Sequence, residues 1–116
     1  MTVRLLLRLE GLAIALGAVV LYADGGHSWW LFLVLALAPD LAFVGYAAGP
    51  TAGAAAYNLA HTLVLPIALG CAGVLWDSDR AIAVALVWLV HIGVDRAVGY
   101  GLKYRTAFKD THLQRV

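Results

Sequence analysis

Charged residues are scarce in this sequence, and their scarcity excludes an ordinary soluble fold. They make up 13% of the 116 residues, whereas hydrophobic residues make up 63%. A typical soluble domain has roughly 25% charged residues. The mean hydropathy is +0.85, so the chain has too little polar surface to cover a soluble globule. The net charge of +1, with few basic residues, all near the segment ends, also predicts no nucleic-acid partner.

Cysteine is nearly absent as well. The single Cys71 lies in an apolar run, so the chain cannot form an internal disulfide, and its cysteine content indicates no redox compartment. A signal peptide is not evident either. The first apolar stretch lacks a clear small-residue cleavage site and is long enough to span a bilayer.

Four long apolar stretches, separated by short polar or glycine-containing breaks, dominate the sequence. Each is close to the roughly 20 residues that a helix needs to cross about 30 Å of hydrocarbon. The sequence therefore predicts an all-α, four-transmembrane-helix bundle that forms a single domain over residues 1–116. The predicted helices cover residues 3–22, 29–47, 51–76 and 81–100, and a polar C-terminal tail covers 101–116.

Basic residues are concentrated on one side of the predicted membrane. Arg4 and Arg8 flank the first helix, and four more basic residues follow the last one. The turns expected on the other side contain aspartates and only one arginine, Arg80. The positive-inside rule then predicts that both termini are cytoplasmic. We expect a multi-pass protein of the cytoplasmic (inner) membrane, surrounded by membrane lipid.

Ionisable side chains inside all four predicted helices are the main functional signal. An aspartate at the centre of a bilayer costs about 2.5–3.5 kcal/mol on insertion scales, so five such residues predict a function. They are Glu10, Asp40, His61, His91 and Asp95. With a rise of about 1.5 Å per residue, Asp40, His61 and His91 fall near the midplane. We expect these side chains to converge.

Two local patterns favour that convergence. His91 and Asp95 are four residues apart, so they project from one side of the last helix and can bind a common ion. Pro39 precedes Asp40 inside the second helix, where its ring and missing N–H predict a kink that frees the carbonyl of Leu35. Such a kink would help to shape a cavity beside a buried carboxylate.

The residue types indicate a metal site. Imidazoles and carboxylates from several helices are the ligands of zinc sites and of carboxylate-rich iron or manganese sites. A cation would also offset the repulsion between buried carboxylates. We therefore predict a divalent metal (zinc, iron or manganese) with His61, His91 and Asp95 as its first ligands. Asp40 and Glu10 are predicted to be further ligands or the catalytic general base.

A metal with an open coordination position predicts a hydrolase, because it lowers the pKa of bound water. The expected substrate is a lipid-like or amphiphilic small molecule, whose anionic head group would be held at the cytoplasmic mouth. The predicted substrate-binding residues are Asn58, Arg8, Arg96 and Lys103.

Two other classes of function remain open. His61 and His91 could be the axial ligands of one haem in an electron-transfer protein. Buried acids and histidines also form proton or cation paths in transporters. A single intramembrane histidine is, moreover, common as a hydrogen-bonded packing residue.

The peripheral residues have simpler interpretations too. Glu10 can pair with Arg8 or Arg96 instead of binding a metal. Asp110 and His112 are most simply residues of a solvated tail, and the alternative is a tail that folds back over the cytoplasmic mouth. A bundle this small could also form a homodimer, and no sequence feature decides this.

Short motifs along nearly the whole chain resemble those of one family. They are Arg8-Leu9-Glu10-Gly11, Ser28-Trp29-Trp30, Ala38-Pro39-Asp40, Gly45-Tyr46, Tyr57-Asn58-Leu59-Ala60-His61-Thr62, Trp88-Leu89-Val90-His91-Ile92-Gly93-Val94-Asp95-Arg96, Gly99-Tyr100-Gly101-Leu102-Lys103-Tyr104 and Phe108-Lys109-Asp110-Thr111-His112-Leu113. In this combination the chain resembles DUF4260, a bacterial integral membrane family defined as a domain of unknown function. The resemblance implies a protein with four membrane spans. It implies no activity, so function has to be argued from the residues.

Overall fold

Helices form the regular structure of the described residues, which in this computed structural model are 2–102 and 111–115. In chain order they are α1 (Val3–Asp24), α2 (Trp29–Leu35), a 3₁₀ helix (Ala38–Ala48), α3 (Pro50–His61), α4 (Val64–Leu75), α5 (Asp79–Val98) and α6 (His112–Arg115). Within this part of the chain, four helical stretches are long and apolar enough to cross a membrane, and we call them spans one to four: Val3–Asp24, Trp29–Ala48, Pro50–Leu75 and Asp79–Val98. The predicted all-α fold with four such helices is confirmed.

The outer surface of these spans is strongly apolar. Many large hydrophobic side chains are exposed along them, including Trp30 at 75%, Val44 at 76% and Val64 at 68%. Soluble monomers rarely expose such continuous apolar surface. These four apolar helices indicate a multi-pass membrane protein.

Spans one and four pack against each other through small residues. Gly11 and Ala15 of α1 face Gly93 of α5, and a Cβ atom added to Gly93 would lie 2.6 Å from the Gly11 carbonyl oxygen and 2.9 Å from the Ala15 Cβ. Close backbone approach of this kind is the usual basis of helix association in lipid. Ala18 and Tyr22 continue the buried face of α1. The contact fixes α5, which also packs along α4 and α2, at the centre of the protein.

Span two changes helix type near its middle. It consists of α2, a turn at residues 36–37 and the 3₁₀ helix. Pro39 is the second residue of the 3₁₀ helix, a position where its missing N–H removes no helical hydrogen bond. Pro50 and Pro66 likewise lie in the first turn of α3 and of α4.

The 3₁₀ helix and α3 pack in matched rows. Asp40 contacts His61, and the Phe43 ring stacks on that of Tyr57 with centroids 5.5 Å apart. One turn further on, the Tyr46 ring lies against Gly53. Three residues of a 3₁₀ helix and four residues of an α-helix both rise about 6 Å. The two helix types therefore keep their rows in register, which accounts for a 3₁₀ run as long as 11 residues.

Span three is interrupted between α3 and α4. Thr62 is extended, with φ −85° and ψ 149°. Pro66 explains the interruption, because its ring would clash with the Thr62 carbonyl and it offers no N–H to that carbonyl in a continuous helix. The apolar pattern predicts one uninterrupted helix here. The break instead leaves carbonyls at the end of α3 that need other donors.

The end of the chain folds back on the helices. The Leu102 N–H donates to Nδ1 of His112 at 2.8 Å, and Arg4 donates to the Leu113 carbonyl at 3.0 Å. Thr111 and Leu113 are buried, and His112 is half-buried. His112 is therefore not the solvated residue that the sequence suggests. Asp110, with the same expectation, lies outside the described residues.

Candidate metal centre

Two histidines and two aspartates from spans two, three and four meet at one point. Nε2 of His61 and Nε2 of His91 are 3.2 Å apart, and Oδ1 of Asp40 lies 3.1 Å from each of them. Oδ2 of Asp95 lies 3.4 Å from His61 Nε2 and 3.3 Å from His91 Nε2. All four donor atoms fall within 4.8 Å of one another. This group could hold a metal ion.

The hydrogen bonds of the two imidazoles fix which ring nitrogen faces the centre. Nδ1 of His61 donates to the Tyr57 carbonyl at 2.8 Å, and Nδ1 of His91 donates to the Ala36 carbonyl at 2.6 Å. A carbonyl can only accept, so each Nδ1 carries the hydrogen and each neutral ring presents a lone pair on Nε2. Metal-binding histidines are oriented in the same way in known sites.

The change of helix type in span two positions both Asp40 and His91. In the 3₁₀ helix the Asp40 N–H bonds the Leu37 carbonyl at 3.0 Å. An α-helix would have directed that N–H to the carbonyl of Ala36. The Ala36 carbonyl is instead taken by His91. The predicted break at Pro39 thus frees a backbone acceptor, although the acceptor that is used belongs to Ala36 and not to Leu35.

His61 is held by its own helix and by aromatic stacking. It is 0% exposed, and its ring stacks on that of Tyr57 with centroids 3.7 Å apart and planes 7° apart. Two side chains of α5 bond the carbonyls left by the break in span three. Trp88 donates to the Ala60 carbonyl at 2.5 Å, and Arg96 donates to the His61 carbonyl at 3.0 Å. The end of α3, and with it the ligand, is therefore fixed to α5.

A cavity of about 300 Å³ reaches the four-residue group between span two and α5. Asp40, His91 and Asp95 line one part of it. Leu37, 71% exposed, and Val94, 47% exposed, line its apolar part. The site is thus accessible along an apolar route, and an amphiphilic molecule could reach it from the side of the bundle.

Among the sequence-predicted ligands, the structure brings Asp40, His61, His91 and Asp95 together but leaves Glu10 apart. Glu10 is exposed and lines a different cavity, beside Arg96. No ion pair joins it to Arg8 or Arg96 among the described side chains.

The predicted substrate-binding residues are also dispersed. Arg8 donates to the Ala97 carbonyl at 2.8 Å, and Arg96 bonds the end of α3 as described above. Asn58 is half-buried on α3, where its carbonyl accepts from the Thr62 N–H. Lys103 lies outside the described residues.

Two supporting residues, Tyr57 and Trp88, were not identified from the sequence. Both stand at helical spacings from the histidines, since Tyr57 is four residues before His61 and Trp88 is three residues before His91. These spacings place each aromatic on the same helix face as its histidine, and that signal was present in the sequence.

The comparisons with known proteins identify a family without assigning a function. The sequence profile of DUF4260, described as a domain of unknown function, matches residues 4–116. No curated protein and no solved structure matches the chain significantly. Since the match covers nearly its whole length, this chain belongs to the DUF4260 family.

Proposed function

We propose that this protein is a metal-dependent hydrolase of the inner membrane that acts on a lipid-like or amphiphilic substrate. His61, His91 and Asp95 hold a divalent metal, and Asp40 is the general base. The observation that carries the proposal is the convergence of two Nε2 lone pairs and two carboxylate oxygens, with each nitrogen 3.1–3.4 Å from the other nitrogen and from both oxygens. Glu10 has no role in this proposal, since it lies outside the group.

The charge balance of the group supports a bound cation. With both Nδ1 atoms donating to carbonyls, the four atoms that face the centre are all acceptors in their neutral-imidazole and carboxylate forms. Acceptors at such distances repel one another unless protons or a metal lie between them. A tetrahedral metal with ligands at about 2.0–2.1 Å would space its donors roughly 3.3 Å apart, close to the five separations that involve a histidine nitrogen.

The donor set does not select one metal. Imidazole suits zinc and iron, and carboxylate suits manganese as well. A metal at this point would supply Lewis-acid activation of water, its usual contribution to hydrolysis.

Asp40 is the better candidate for the base, and Asp95 for the ligand. The Asp40 side chain is 33% exposed, against 18% for Asp95. Both aspartates line the apolar cavity, and the more exposed Asp40 is the better placed to accept a proton from water beside an incoming substrate. A catalytic metal needs an open position, which three protein ligands leave and four would close.

The expected orientation has both termini in the cytoplasm, as the distribution of basic residues favours. The substrate would reach the centre through the cavity beside Leu37 and Val94, with its apolar part along that cavity. The role in substrate binding expected of Asn58, Arg8, Arg96 and Lys103 is not part of this proposal, because the described ones among them do not line that cavity.

The haem alternative has less support. Axial ligands stand on opposite sides of an iron, about 4 Å apart for bonds of about 2 Å. The two Nε2 atoms are 3.2 Å apart, and the carboxylates of Asp40 and Asp95 occupy the space around them where a macrocycle would have to lie. Proton or cation transport is a further alternative, which a flux assay in proteoliposomes would test.

The direct test is the metal content of the full chain purified in mild detergent without added metal. We expect about one zinc, iron or manganese per chain, lost in His61→Ala and in His91→Ala. His27→Ala is the matched control, because the His27 ring contacts that of Tyr22 and does not belong to the group. Metal content that is equal in all four proteins would refute the ligand assignment, as would a chain that neither retains nor rebinds these metals.

Substitution of each aspartate in turn distinguishes catalysis from metal binding. We expect Asp95→Asn to lose metal and Asp40→Asn to keep it, with hydrolysis of a fluorogenic octanoyl ester or amide in mixed micelles reduced about 100-fold or more in both. Loss of metal in Asp40→Asn would make Asp40 a fourth ligand of a closed site. That result would favour a structural metal and contradict the hydrolase proposal.

A further inference from the structure

A second polar cavity lies at one end of the bundle, next to the four-residue group but separate from it. It measures about 250 Å³ and lies between α1, the start of α4, the end of α5 and the C-terminal segment. None of the four metal-site residues lines it. The lining residues that matter here are Glu10, Thr62, Arg96, His112, Ile14 and Leu63. They combine one acid, one base and neutral donors with an apolar wall.

Arg96 supplies the positive charge of this cavity. Its guanidinium donates to the His61 carbonyl at 3.0 Å and to the Tyr100 carbonyl at 3.4 Å. These bonds use two of the five N–H groups that a guanidinium offers. The bonds hold the cation in place at the cavity wall and leave further donors for an anionic group.

Glu10 supplies a negative charge that pairs with no basic side chain in the described part of the chain. It lines the same cavity as Arg96, yet the ion pairs among the described side chains do not include it. Opposite charges that share a cavity without pairing leave space between them. A ligand that carries both charges could occupy this space.

His112 adds a neutral donor. Its Nδ1 accepts from the Leu102 N–H at 2.8 Å, so the ring hydrogen is on Nε2. Burial, together with the positive charge of Arg96, lowers the pKa of His112 below its usual value. The ring is therefore neutral at neutral pH. Among the described lining residues, Glu10 and Arg96 then give a net charge of zero, with the positive and negative groups unpaired.

We propose that this cavity binds the phosphoethanolamine head group of a membrane lipid. Arg96 and His112 hold the phosphate, Glu10 holds the ammonium, and the acyl chains begin along Ile14 and Leu63. Arginine is well suited to phosphate, and hydrogen bonds to ionised groups are the strong ones. The cavity shares no lining residue with the four-residue group, and the proposal goes beyond the proposed hydrolase.

The chemistry distinguishes this head group from its common alternatives. A phosphoglycerol head group is a net anion and would place neutral hydroxyls beside Glu10, which then keeps an unpaired charge. A phosphocholine head group carries a cation but has no N–H to donate. A primary ammonium has three donors, so it alone can both neutralise and hydrogen-bond the carboxylate.

The test measures lipid retention by native mass spectrometry of the full chain released from mixed micelles. The micelles contain equal amounts of phosphatidylethanolamine, phosphatidylglycerol and phosphatidylcholine of matched acyl chains. We expect phosphatidylethanolamine to be retained about fivefold over either of the others, as a charge-assisted hydrogen bond at a partly exposed site would give. Glu10→Gln should abolish the preference, and Glu10→Lys should shift it to phosphatidylglycerol.

Asp24→Asn and Asp24→Lys are the matched controls, because they change a carboxylate at the other end of α1. We expect them to keep the preference. Free phosphoethanolamine is added as a competitor, and binding that it displaces fully at equal concentration would identify a soluble ligand in place of a lipid. Equal retention of the three lipids by the unchanged chain, or an unchanged preference in both Glu10 variants, would overturn the proposal.

Metal content is measured on the same samples. Loss of the lipid preference with metal content unchanged in the Glu10 variants would support a separate lipid site. Loss of metal in these variants would instead tie Glu10 to the metal centre and contradict the independence of the two sites.

Discussion

Spans one and four differ from spans two and three in how they cross the protein. Spans one and four are continuous α-helices, Val3–Asp24 and Asp79–Val98, joined by close contact of Gly11 with Gly93. Spans two and three are interrupted at residues 36–37 and 62–63. The continuous pair forms a rigid frame, and the interrupted pair contributes the irregular backbone beside the metal centre.

The candidate metal centre draws its residues from both kinds of span. The continuous α5 carries His91 and Asp95 at a fixed spacing, whereas Asp40 and His61 come from the interrupted spans. An interruption in lipid is costly unless its backbone groups find partners. Here the partners come from α5, because His91 bonds the Ala36 carbonyl and Trp88 bonds the Ala60 carbonyl. The same bonds that satisfy the interruptions also orient the ligands.

Breaking the frame should have the largest effect on the protein. Gly93→Val would force a side chain into the Gly11 carbonyl and Ala15. Because the Gly11 carbonyl and Ala15 belong to a packed helix and cannot easily move, we expect a loss of at least about 3 kcal/mol in the free energy of unfolding. We also expect loss of bound metal. Thermal unfolding in detergent measures the first effect, and elemental analysis the second.

Gly70→Ala is the control for that substitution. A Cβ at Gly70 would meet only the Ala85 Cβ, at 3.4 Å, so we expect a stability change below about 1 kcal/mol. If Gly93→Val left both stability and metal content unchanged, the close contact of α1 and α5 would not be the frame of the site.

Removing the metal should affect the two pairs of spans differently. If the metal centre joins the interrupted spans to α5, a chelator should increase amide hydrogen exchange in the 3₁₀ helix and α3 but not in the α1–α5 contact around Ala15 and Gly93. If the free metal concentration is 100 times the Kd before chelation, the chelator should lower the free energy of unfolding by about 2.7 kcal/mol. The reference is His61→Ala, in which the chelator should change nothing. Uniform exchange in all spans after chelation would contradict this division.

Much of the fold could be predicted from hydropathy, but the interruption in span three was missed. Pro39 signals one interruption, and Pro66 carries the same signal for the other. The apolar run around Pro66 hides it, since proline within an apolar helix is tolerated in membranes where other groups satisfy the freed carbonyls. The 3₁₀ helix was not predictable either, because its rows are set by contact of Phe43 with Tyr57, a tertiary feature.

The metal centre was predictable by residue type and depth, except for Glu10. Depth alone does not show which way a side chain points. Gly11 and Ala15 mark the face of α1 that meets α5, and the neighbouring Glu10 is rotated about 100° away from Gly11. If the small residues of α1 are taken to mark the face packed on α5, Glu10 is predicted to point away from the other four residues and towards the second cavity.

The smallest effect we expect comes from one hydrogen bond between the frame and the interrupted spans. Trp88→Phe keeps the aromatic packing but removes the donor to the Ala60 carbonyl. We expect a loss of about 1–2 kcal/mol in unfolding free energy and about tenfold weaker metal binding, as for other groups that support a ligand. Trp76→Phe, at a residue 75% exposed, is the control and should change neither. Unaltered metal affinity in Trp88→Phe, measured by competition with a chromophoric chelator, would show that the end of α3 keeps His61 in place without α5.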